Sequence, residues 1–256
     1  MALEIYQYPY GPGANYGVLL HDPASGETAS VDAGEAAALL SAVEKTGWGL
    51  TEIWVTHHHH DHTDGIEEVK AATGCKVIGP KPVSQPIAGV DTRYGDGEAF
   101  DFSGHRVEVL HTPGHTTDMI NFYLSAEGVV FTGDTLFVMG CGRLFEGDGP
   151  MMHASLQKLT ALPPQTVIYC SHEYTEANAG FALTVDPDNA ALREKAATVK
   201  ALRAQGKATV PTTLEEELAT NPFLRASDPA IRAHLGMESA SDTEVFTEIR
   251  RRKDNA

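Results

Sequence analysis

The chain has 256 residues, a formal net charge of −16 and 42% hydrophobic residues. This is an ordinary globular composition, and the length suits one large domain or one domain with a small appendage. The acidic balance argues against a sequence-independent nucleic-acid binder, which needs a basic surface. No apolar stretch approaches the ~18 residues of a membrane span, and no signal peptide is predicted at residues 1–10.

The cysteines indicate the redox environment. There are three, Cys75, Cys141 and Cys170, and none has C-x-x-C spacing. An odd number without that spacing argues against a disulfide scaffold and favours a reducing compartment. We therefore expect a cytoplasmic protein.

The first part of the chain alternates strand and helix patterns. A strand is expected to start within 1–10, and β-branched, apolar runs predict strands at 18–20, 29–31, 51–56, 76–78, 106–110, 121–124, 129–131 and 167–170. Helices are predicted at 35–45, 64–72 and 151–162, with glycine or proline following each. This alternation predicts an α/β fold.

Strand signals end near residue 175. Asp188 is predicted to cap a helix that ends at Gly206 and carries apolar residues at helical spacing, namely Leu192, Ala196, Val199 and Leu202. Short helices follow at 213–220, 228–235 and 242–252. We predict an α/β sheet domain over 1–175 and a helical domain over 176–256.

The segment with the strongest chemical signal is Thr56-His57-His58-His59-His60-Asp61-His62. It lies between a predicted strand and helix, where α/β proteins bind ligands. Alternate residues of an extended segment point the same way, so His57 and His59 could share one metal ion while Asp61 and His62 serve a second. Burying so many polar rings without a function would be costly, and an expression tag would not be internal.

Three later residues could complete such a centre. His115 follows a Gly/Pro turn, and Asp134 and His172 each follow a predicted strand. An aspartate has two oxygens and can bridge two ions, so together these donors could form two adjacent sites with an open position for water. His58 and His60 alternate away from the ligand pair, and we expect them to orient ligands or line the pocket.

These residues resemble the metallo-β-lactamase superfamily. Its H-x-H-x-D-H motif is present at 57–62, followed in the family's order by a later His, Asp and His. Within the superfamily the chain is most similar to glyoxalase II, the hydroxyacylglutathione hydrolases. The segments that carry this likeness are 56–62, 131–146, 171–175, 221–225 and 250–254. The resemblance extends over essentially the whole chain and implies an αββα sandwich with a C-terminal helical domain.

The resemblance also implies roles for individual residues. One metal ion is assigned to His57, His59 and His115, the other to Asp61, His62 and His172, with Asp134 between them. Asp134 and Asp61 would hold the attacking hydroxide. The glutathione-contacting positions of the family fall on Arg143, Phe145, Tyr174, Arg250 and Lys253.

The implied reaction is hydrolysis of S-2-hydroxyacylglutathione thioesters. S-D-lactoylglutathione would give D-lactate and glutathione, the last step of methylglyoxal detoxification. We expect two divalent ions per chain, with Zn favoured and Fe or Mn as alternatives. The expected partner is a small-molecule glutathione thioester, with neither nucleic acid nor membrane, and the chain is expected to be a monomer.

The basic run Arg250-Arg251-Arg252-Lys253 has two interpretations. From charge alone it is more often a solvated tail. The resemblance favours anion binding instead, because glutathione carries two carboxylates that an acidic protein would otherwise repel.

The sequence departs from the family pattern at three positions. Arg143 replaces a lysine found in some members, Phe145 replaces a tyrosine, and Ser171 replaces a common glycine. None of these changes removes a predicted metal ligand. Phe145 lacks the tyrosine hydroxyl, so any contact that this hydroxyl makes to glutathione is missing here.

Other functions on this fold fit less well. An iron-dependent glutathione persulfide dioxygenase would use one iron, and its relatives typically lack the long helical C-terminal part with Asn221-Pro222-Phe223. A lactonase or β-lactamase has no evident need for the terminal cations, and a nuclease would need a basic surface. A non-catalytic member would usually have lost ligands, whereas all seven candidates are present.

Overall fold

The computed structural model describes residues 2–11 and 14–256, which form two compact units. The first unit comprises the described residues up to His111 together with Thr116–Gly133. The second unit comprises Thr112–His115 and Asp134–Ala256. The chain therefore joins the second unit briefly at 112–115, returns to the first, and leaves it at residue 134.

A six-stranded sheet organises the first unit. Its strands follow the chain order: β1 (Glu4–Tyr10), β2 (Asn15–His21), β3 (Thr28–Val31), β4 (Leu50–Trp54), β5 (Lys76–Pro80) and β6 (Thr92–Tyr94). The first three strands are antiparallel, and β3 to β6 are parallel. Parallel strands place their carboxyl ends at one edge of the sheet, so the residues after β3 and β4 meet there.

Three helices follow these strands: α1 (Ala36–Thr46), α2 (His60–Thr63) and α3 (Ile66–Thr73). The apolar faces of α1 and α3 belong to the same buried cluster as the sheet, with Leu39, Ile66 and Val69 each at most 1% exposed. Helices α1 and α3 therefore pack against the sheet. The short helix α2 follows β4 at the carboxyl edge.

The remaining strands of the first unit form an antiparallel meander of β7 (Ala99–Phe102), β8 (His105–His111), β9 (Ile120–Leu124) and β10 (Val129–Gly133). The Trp54 ring of β4 lies 5.3 Å from Phe100, 5.2 Å from Phe102 and 5.6 Å from Phe122, measured between ring centroids. These contacts join the two sheets face to face, and aromatic packing, edge-on for Phe100 and Phe102 and tilted for Phe122, stabilises that core.

The second unit is mainly helical. Its elements are β11 (Leu136–Phe137), β12 (Gly140–Cys141), α4 (Gly149–Thr160), β13 (Val167–Cys170), α5 (Thr175–Val185), α6 (Ala190–Ala204), β14 (Thr212–Thr213), α7 (Leu214–Thr220), α8 (Pro229–Leu235) and α9 (Asp242–Asp254). Phe181, Phe223 and Phe246 form a chain of ring contacts at 6.0 and 5.9 Å in its core. In the described part of the chain, no helix has the length and apolar character to span a membrane.

Several sequence predictions need correction. Asp188 is not the cap of α6, because the Asn189 side chain accepts the N–H of Leu192. The helix predicted at 64–72 begins at Ile66, because α2 forms a separate turn before it. Helix α5 was not predicted, since its apolar residues surround it and show no single-face period. Strands β6 and β7 were missed, and β14 forms beyond residue 175.

Candidate metal and substrate site

In the first unit, the predicted donors lie where the chain passes from β4 into α2. His57 and His62 are fully buried. His57 Nε2 lies 3.1 Å from His59 Nδ1, and His62 Nε2 lies 3.7 Å from Asp61 Oδ2. Two ligands on a tetrahedral ion with bonds of about 2.05 Å would be about 3.3 Å apart. The structure thus brings these donors together in two pairs at ligand-like spacing.

The outer nitrogens of two of these rings have polar partners. Thr56 Oγ1 lies 3.0 Å from His57 Nδ1, and Asp32 Oδ2 lies 2.7 Å from His62 Nδ1. Asp32 also accepts the backbone N–H of Thr56 at 2.8 Å. Such contacts fix the orientation of an imidazole ring so that its other nitrogen faces a ligand.

Asp32 is a residue that the sequence prediction missed. It directly follows β3, is 5% exposed and has a φ of 59°, in the left-handed region that few residues other than glycine adopt. Strained backbone of this kind concentrates at functional sites. An aspartate at the end of a predicted strand was the available signal.

The backbone of Asp61 is held by close packing. Tyr10 donates its hydroxyl to the Asp61 carbonyl at 2.7 Å. A Cβ on Gly34 would lie 1.8 Å from the same carbonyl oxygen, so only glycine allows this approach. The donor segment is therefore fixed through its backbone as well as its rings.

His58 and His60 point away from these donors, as their alternation predicts. His58 Nδ1 lies 3.0 Å from Asp118 Oδ1 and 3.0 Å from Ser84 Oγ. His60 is paired with Asp64, and its side chain is 93% exposed.

In the second unit, three donors from separate segments meet. His172 Nε2 lies 3.1 Å from the Asp134 carboxylate, and His115 Nε2 lies 3.4 Å from Asp134 Oδ2. All three residues are at most 5% exposed. His115 Nδ1 is 2.8 Å from the carbonyl oxygen of Arg143, which orients the ring toward Asp134.

Two exposed aromatic residues lie beside these donors. The Phe145 ring meets the His115 ring edge-on at 5.2 Å, and the Tyr174 ring stacks on His172 at 4.7 Å with an interplanar angle of 7°. Their exposure is unusually high for large hydrophobic residues, at 61% for Phe145 and 41% for Tyr174. Exposed apolar groups beside a polar centre are suited to ligand contact.

The predicted substrate cations differ in accessibility. The Arg250 residue is only 5% exposed. It donates from Nη1 to the Cys141 carbonyl at 2.9 Å and from Nη2 to Asp254 Oδ1 at 2.8 Å. The Arg143 side chain is 56% exposed and also approaches Asp254 Oδ1, at 3.4 Å. Arg250 therefore braces the backbone near β12, while Arg143 faces solvent.

The environment of Lys253 differs from those of Arg250 and Arg143. Its Nζ donates to the Ala177 carbonyl at 3.2 Å and lies 5.2 Å from the centroid of the Phe181 ring. Burial, with a smaller contribution from the nearby Arg250, lowers the pKa of Lys253 from its ordinary value. A partly desolvated ammonium attracts an anionic ligand more strongly than a fully hydrated one.

The two cysteines near the site, Cys141 and Cys170, have low reactivity. Burial raises the pKa of Cys141 to about 11 and that of Cys170 to about 12. Both are thiols at neutral pH, and the thiol form is a poor nucleophile.

The described residues thus include clusters of His and Asp able to hold metal ions. Imidazole and carboxylate donors suit Zn, Fe and Mn. Buried rings with ordered outer nitrogens are what a divalent ion requires, so the donor set fits such an ion.

Comparison with known families gives the class of protein. Residues 16–172 match the family model of the metallo-β-lactamase superfamily, and residues 173–256 match the model of the hydroxyacylglutathione hydrolase C-terminus. The first match covers more than half of the chain. The chain therefore belongs to the metallo-β-lactamase superfamily.

Individual relatives show which family of the superfamily the chain belongs to. The chain is 53% identical over 255 residues to a Mesorhizobium japonicum protein, covering 100% of both. It is 52% identical to a Maricaulis maris protein and 54% identical to a Rhizobium meliloti protein, covering 94% of each chain. All three are named hydroxyacylglutathione hydrolase, and the chain belongs to that family.

Solved structures show the same fold at lower identity. ETHE1 from Myxococcus xanthus has a TM-score of 0.69 at 24% identity, covering 97% of this chain and 90% of its own. TTHA1623, solved in a di-iron-bound form, has a TM-score of 0.61 at 24% identity, covering 86% and 100%. The predicted fold class, an α/β metallo-β-lactamase fold with a C-terminal helical domain, is confirmed.

Proposed function

We propose that this chain is a metal-dependent hydroxyacylglutathione hydrolase. It hydrolyses S-2-hydroxyacylglutathione thioesters such as S-D-lactoylglutathione to a 2-hydroxy acid and glutathione, and so serves methylglyoxal detoxification. The observation that carries this function is the identity of 52–54% to relatives of that name over 94–100% of the chain. The match of residues 173–256 to the C-terminal model of the same family supports it.

Seven residues would hold two divalent ions, with Zn favoured over Fe and Mn. The first ion would take His57, His59 and His115, the second Asp61, His62 and His172, and Asp134 would serve both. Such ions would lower the pKa of bound water and polarise the thioester carbonyl. The ligand-like spacing within each unit and the ordered outer nitrogens of His57, His62 and His115 support this assignment.

The protein's own groups would bind the glutathione part. Glutathione carries two carboxylates, and a chain of net charge −16 repels them unless local cations compensate. Arg143 and Lys253 would contact these carboxylates, and Arg250 would contribute its charge from a buried position. Phe145 and Tyr174 would pack against the thioester side of the substrate.

The leaving group simplifies the reaction. A thiolate, whose conjugate thiol has a pKa of about 8.5, departs without a strong general acid. Asp61 and Asp134 would keep the attacking water in place. We keep the division into a catalytic domain at 1–175 and a helical substrate-binding domain at 176–256, which the boundary between the two family matches supports.

The first experiment measures hydrolysis of S-D-lactoylglutathione by the purified chain and metal content of the same sample. We expect rapid, chelator-sensitive hydrolysis with about two metal ions per chain. Absence of hydrolysis with both ions bound would reject the proposal. A single iron with oxygen uptake on glutathione persulfide would instead indicate the dioxygenase alternative.

Two further expectations stay predictions. We expect a monomer in the cytoplasm that binds neither nucleic acid nor membranes. Size-exclusion chromatography coupled to light scattering tests the oligomeric state.

A further inference from the structure

We propose that Glu217 is a positioning residue for the reaction. Its buried carboxylate, paired with Lys195, fixes the hairpin loop of residues 137–141, which connects the metal ligand Asp134 to the substrate cation Arg143. This role rests on the proposed function and deepens it, since it assigns to helix α7 the task of keeping both groups in place.

The Glu217 carboxylate is saturated with donors. The residue is 0% exposed. One oxygen accepts the backbone N–H of Met139 at 2.7 Å and the Asn221 amide at 3.0 Å. The other accepts Lys195 Nζ at 3.0 Å and lies 3.0 Å from the Thr212 hydroxyl, whose single proton Glu217 shares with Glu216. All four described neighbours of these two oxygens are donor groups, and the Lys195 ammonium compensates the buried carboxylate.

The hairpin loop depends on side chains for its backbone partners. Met139 is fully buried with a φ of 54°, a left-handed conformation unfavourable for methionine. Its N–H is the one bound by Glu217. The Asn221 amide donates to the carbonyls of Phe137 and Gly140 at 3.2 and 3.0 Å, and Asn178 donates to that of Val138 at 3.1 Å.

Movement of this loop would reach the proposed catalytic groups. A Cβ on Gly142 would lie 2.0 Å from the Asp134 carbonyl oxygen, so the chain after the loop packs directly on the metal ligand. The next carbonyl, that of Arg143, is 2.8 Å from His115 Nδ1. Displacing the loop would therefore shift Arg143 and turn the His115 ring away from Asp134. A misplacement of about 1 Å is enough to lower a rate by about 10²-fold.

The neighbouring Glu216 supplies a matched control. Its carboxylate lies beside the same partners, 3.1 Å from Lys195 Nζ and 2.9 Å from the shared Thr212 hydroxyl. Its side chain is 57% exposed, and its carboxylate has no described contact with the hairpin loop. Glu216→Gln and Glu217→Gln thus make the same charge change beside the same lysine, and only the second alters a loop contact.

The experiment compares these two variants with the wild type as full-length, metal-loaded proteins. Hydrogen exchange is measured for peptides covering 136–143, metal retention by competition with a chelator, and kcat and KM with S-D-lactoylglutathione. For Glu217→Gln we expect at least about tenfold faster exchange of the Met139 amide, weaker metal retention, a higher KM and a kcat/KM at least about tenfold lower. Glu216→Gln should stay within about twofold of wild type in all of these.

Lys195→Met covers the case in which Glu217→Gln does not fold. It removes the cation that compensates the buried Glu217 carboxylate, so the carboxylate is no longer held against the Met139 N–H and faster exchange at 136–143 is again expected. A folded Glu217→Gln with wild-type exchange in this segment, or with a loss of stability spread evenly over the chain, overturns the proposal. If the wild type does not hydrolyse the thioester, the proposed function fails, while exchange and metal retention still decide the role of Glu217.

Discussion

The two units supply their candidate metal ligands by opposite means. In the first unit, four donors occupy residues 57–62, and the end of β4 and the start of α2 set their directions. In the second, His115, Asp134 and His172 come from separate segments and meet only when the unit is folded. Local chain geometry explains the first set, whereas the second depends on contacts such as the one between His115 and the Arg143 carbonyl.

This difference indicates which substitutions would disturb each set of ligands. The first set has its own supports nearby in Thr56 and Asp32, so changes in distant helices should leave it intact. The second set shares its unit with the hairpin loop, the substrate cations and the C-terminal helices. Changes in those helices should therefore affect metal retention and substrate binding together.

The largest expected effect is at Asp134, the one candidate ligand assigned to both ions. Asp134→Ala should lower kcat/KM by about 10³-fold or more, because the metal ions supply several kcal/mol of transition-state stabilisation. Steady-state kinetics and metal analysis measure this. His60→Ala, at a 93% exposed side chain within the histidine run, is the control and should behave as wild type. Near-normal rates in Asp134→Ala would contradict the shared-ligand assignment.

Asp32 tests whether the first unit supports its own donors. Asp32→Ala should weaken metal binding or activity by about 10–100-fold, because His62 loses the group that orients its ring. The control is Asp22→Ala, since Asp22 is also buried and accepts two backbone N–H groups, from Ala24 and Ser25, in a turn. Asp22→Ala should cost stability without changing metal affinity, as measured by chelator competition. Equal loss of metal in both variants would show that Asp32 acts through folding alone.

Lys253 separates substrate binding from catalysis. Lys253→Ala should raise KM about tenfold and leave kcat nearly unchanged, because a charge-assisted contact to a glutathione carboxylate is lost. Arg251→Ala is the control, since Arg251 is 65% exposed and pairs with Glu248. An unchanged KM in Lys253→Ala would remove Lys253 from the substrate site, and an unchanged KM in both Lys253→Ala and Arg250→Ala would remove the terminal cations from it. The same outcome in Arg250→Ala would confine Arg250 to its structural contact with Cys141.

The smallest effect concerns the ion pairs on α9. Hydrogen bonds from Arg251 and Arg252 lower the pKa of Glu248 to about 2, from 4.5. A lowered pKa means that the pairs stabilise the fold above the unfolded-state pKa, and that this contribution disappears as the pH falls from about 4.5 to about 2. Glu248→Gln should lower the free energy of unfolding by under about 1 kcal/mol at pH 7.

Urea unfolding of the wild type and Glu248→Gln across this pH range measures the difference. The two proteins should converge at the acidic end. Glu238→Gln removes an exposed carboxylate outside α9 and is the control for the loss of one negative charge. A gap that widens as the pH falls would contradict the assigned sign.

The sequence predicted the first unit better than the second for a physical reason. The histidine run is contiguous, so alternation alone pairs His57 with His59 and sends His58 elsewhere. His115, Asp134 and His172 were assigned by their order in a known family, because nothing local brings them together. Asp32 and Glu217 were missed, since their partners lie 30 and 78 residues away in the chain.

The helices and the basic run also show features that depend on tertiary packing. Apolar periodicity located α6 but not α5, because Ala177 and Gly180 lie on the exposed face of α5 and the polar Asn178 lies on its buried face. Four consecutive cations look alike in sequence. In the fold, Arg250 is buried against Cys141 while Arg251 faces solvent. Burial of a charge depends on tertiary packing, which composition does not encode.

The hairpin loop has a consequence for how this family can diversify. Its backbone is bound by Asn178, Glu217, Asn221 and Arg250, all of which lie beyond residue 172, where the superfamily match ends. A chimera joined at that boundary would combine a loop from one parent with binding groups from another. Recombination there should yield working enzymes only when both parents share this set.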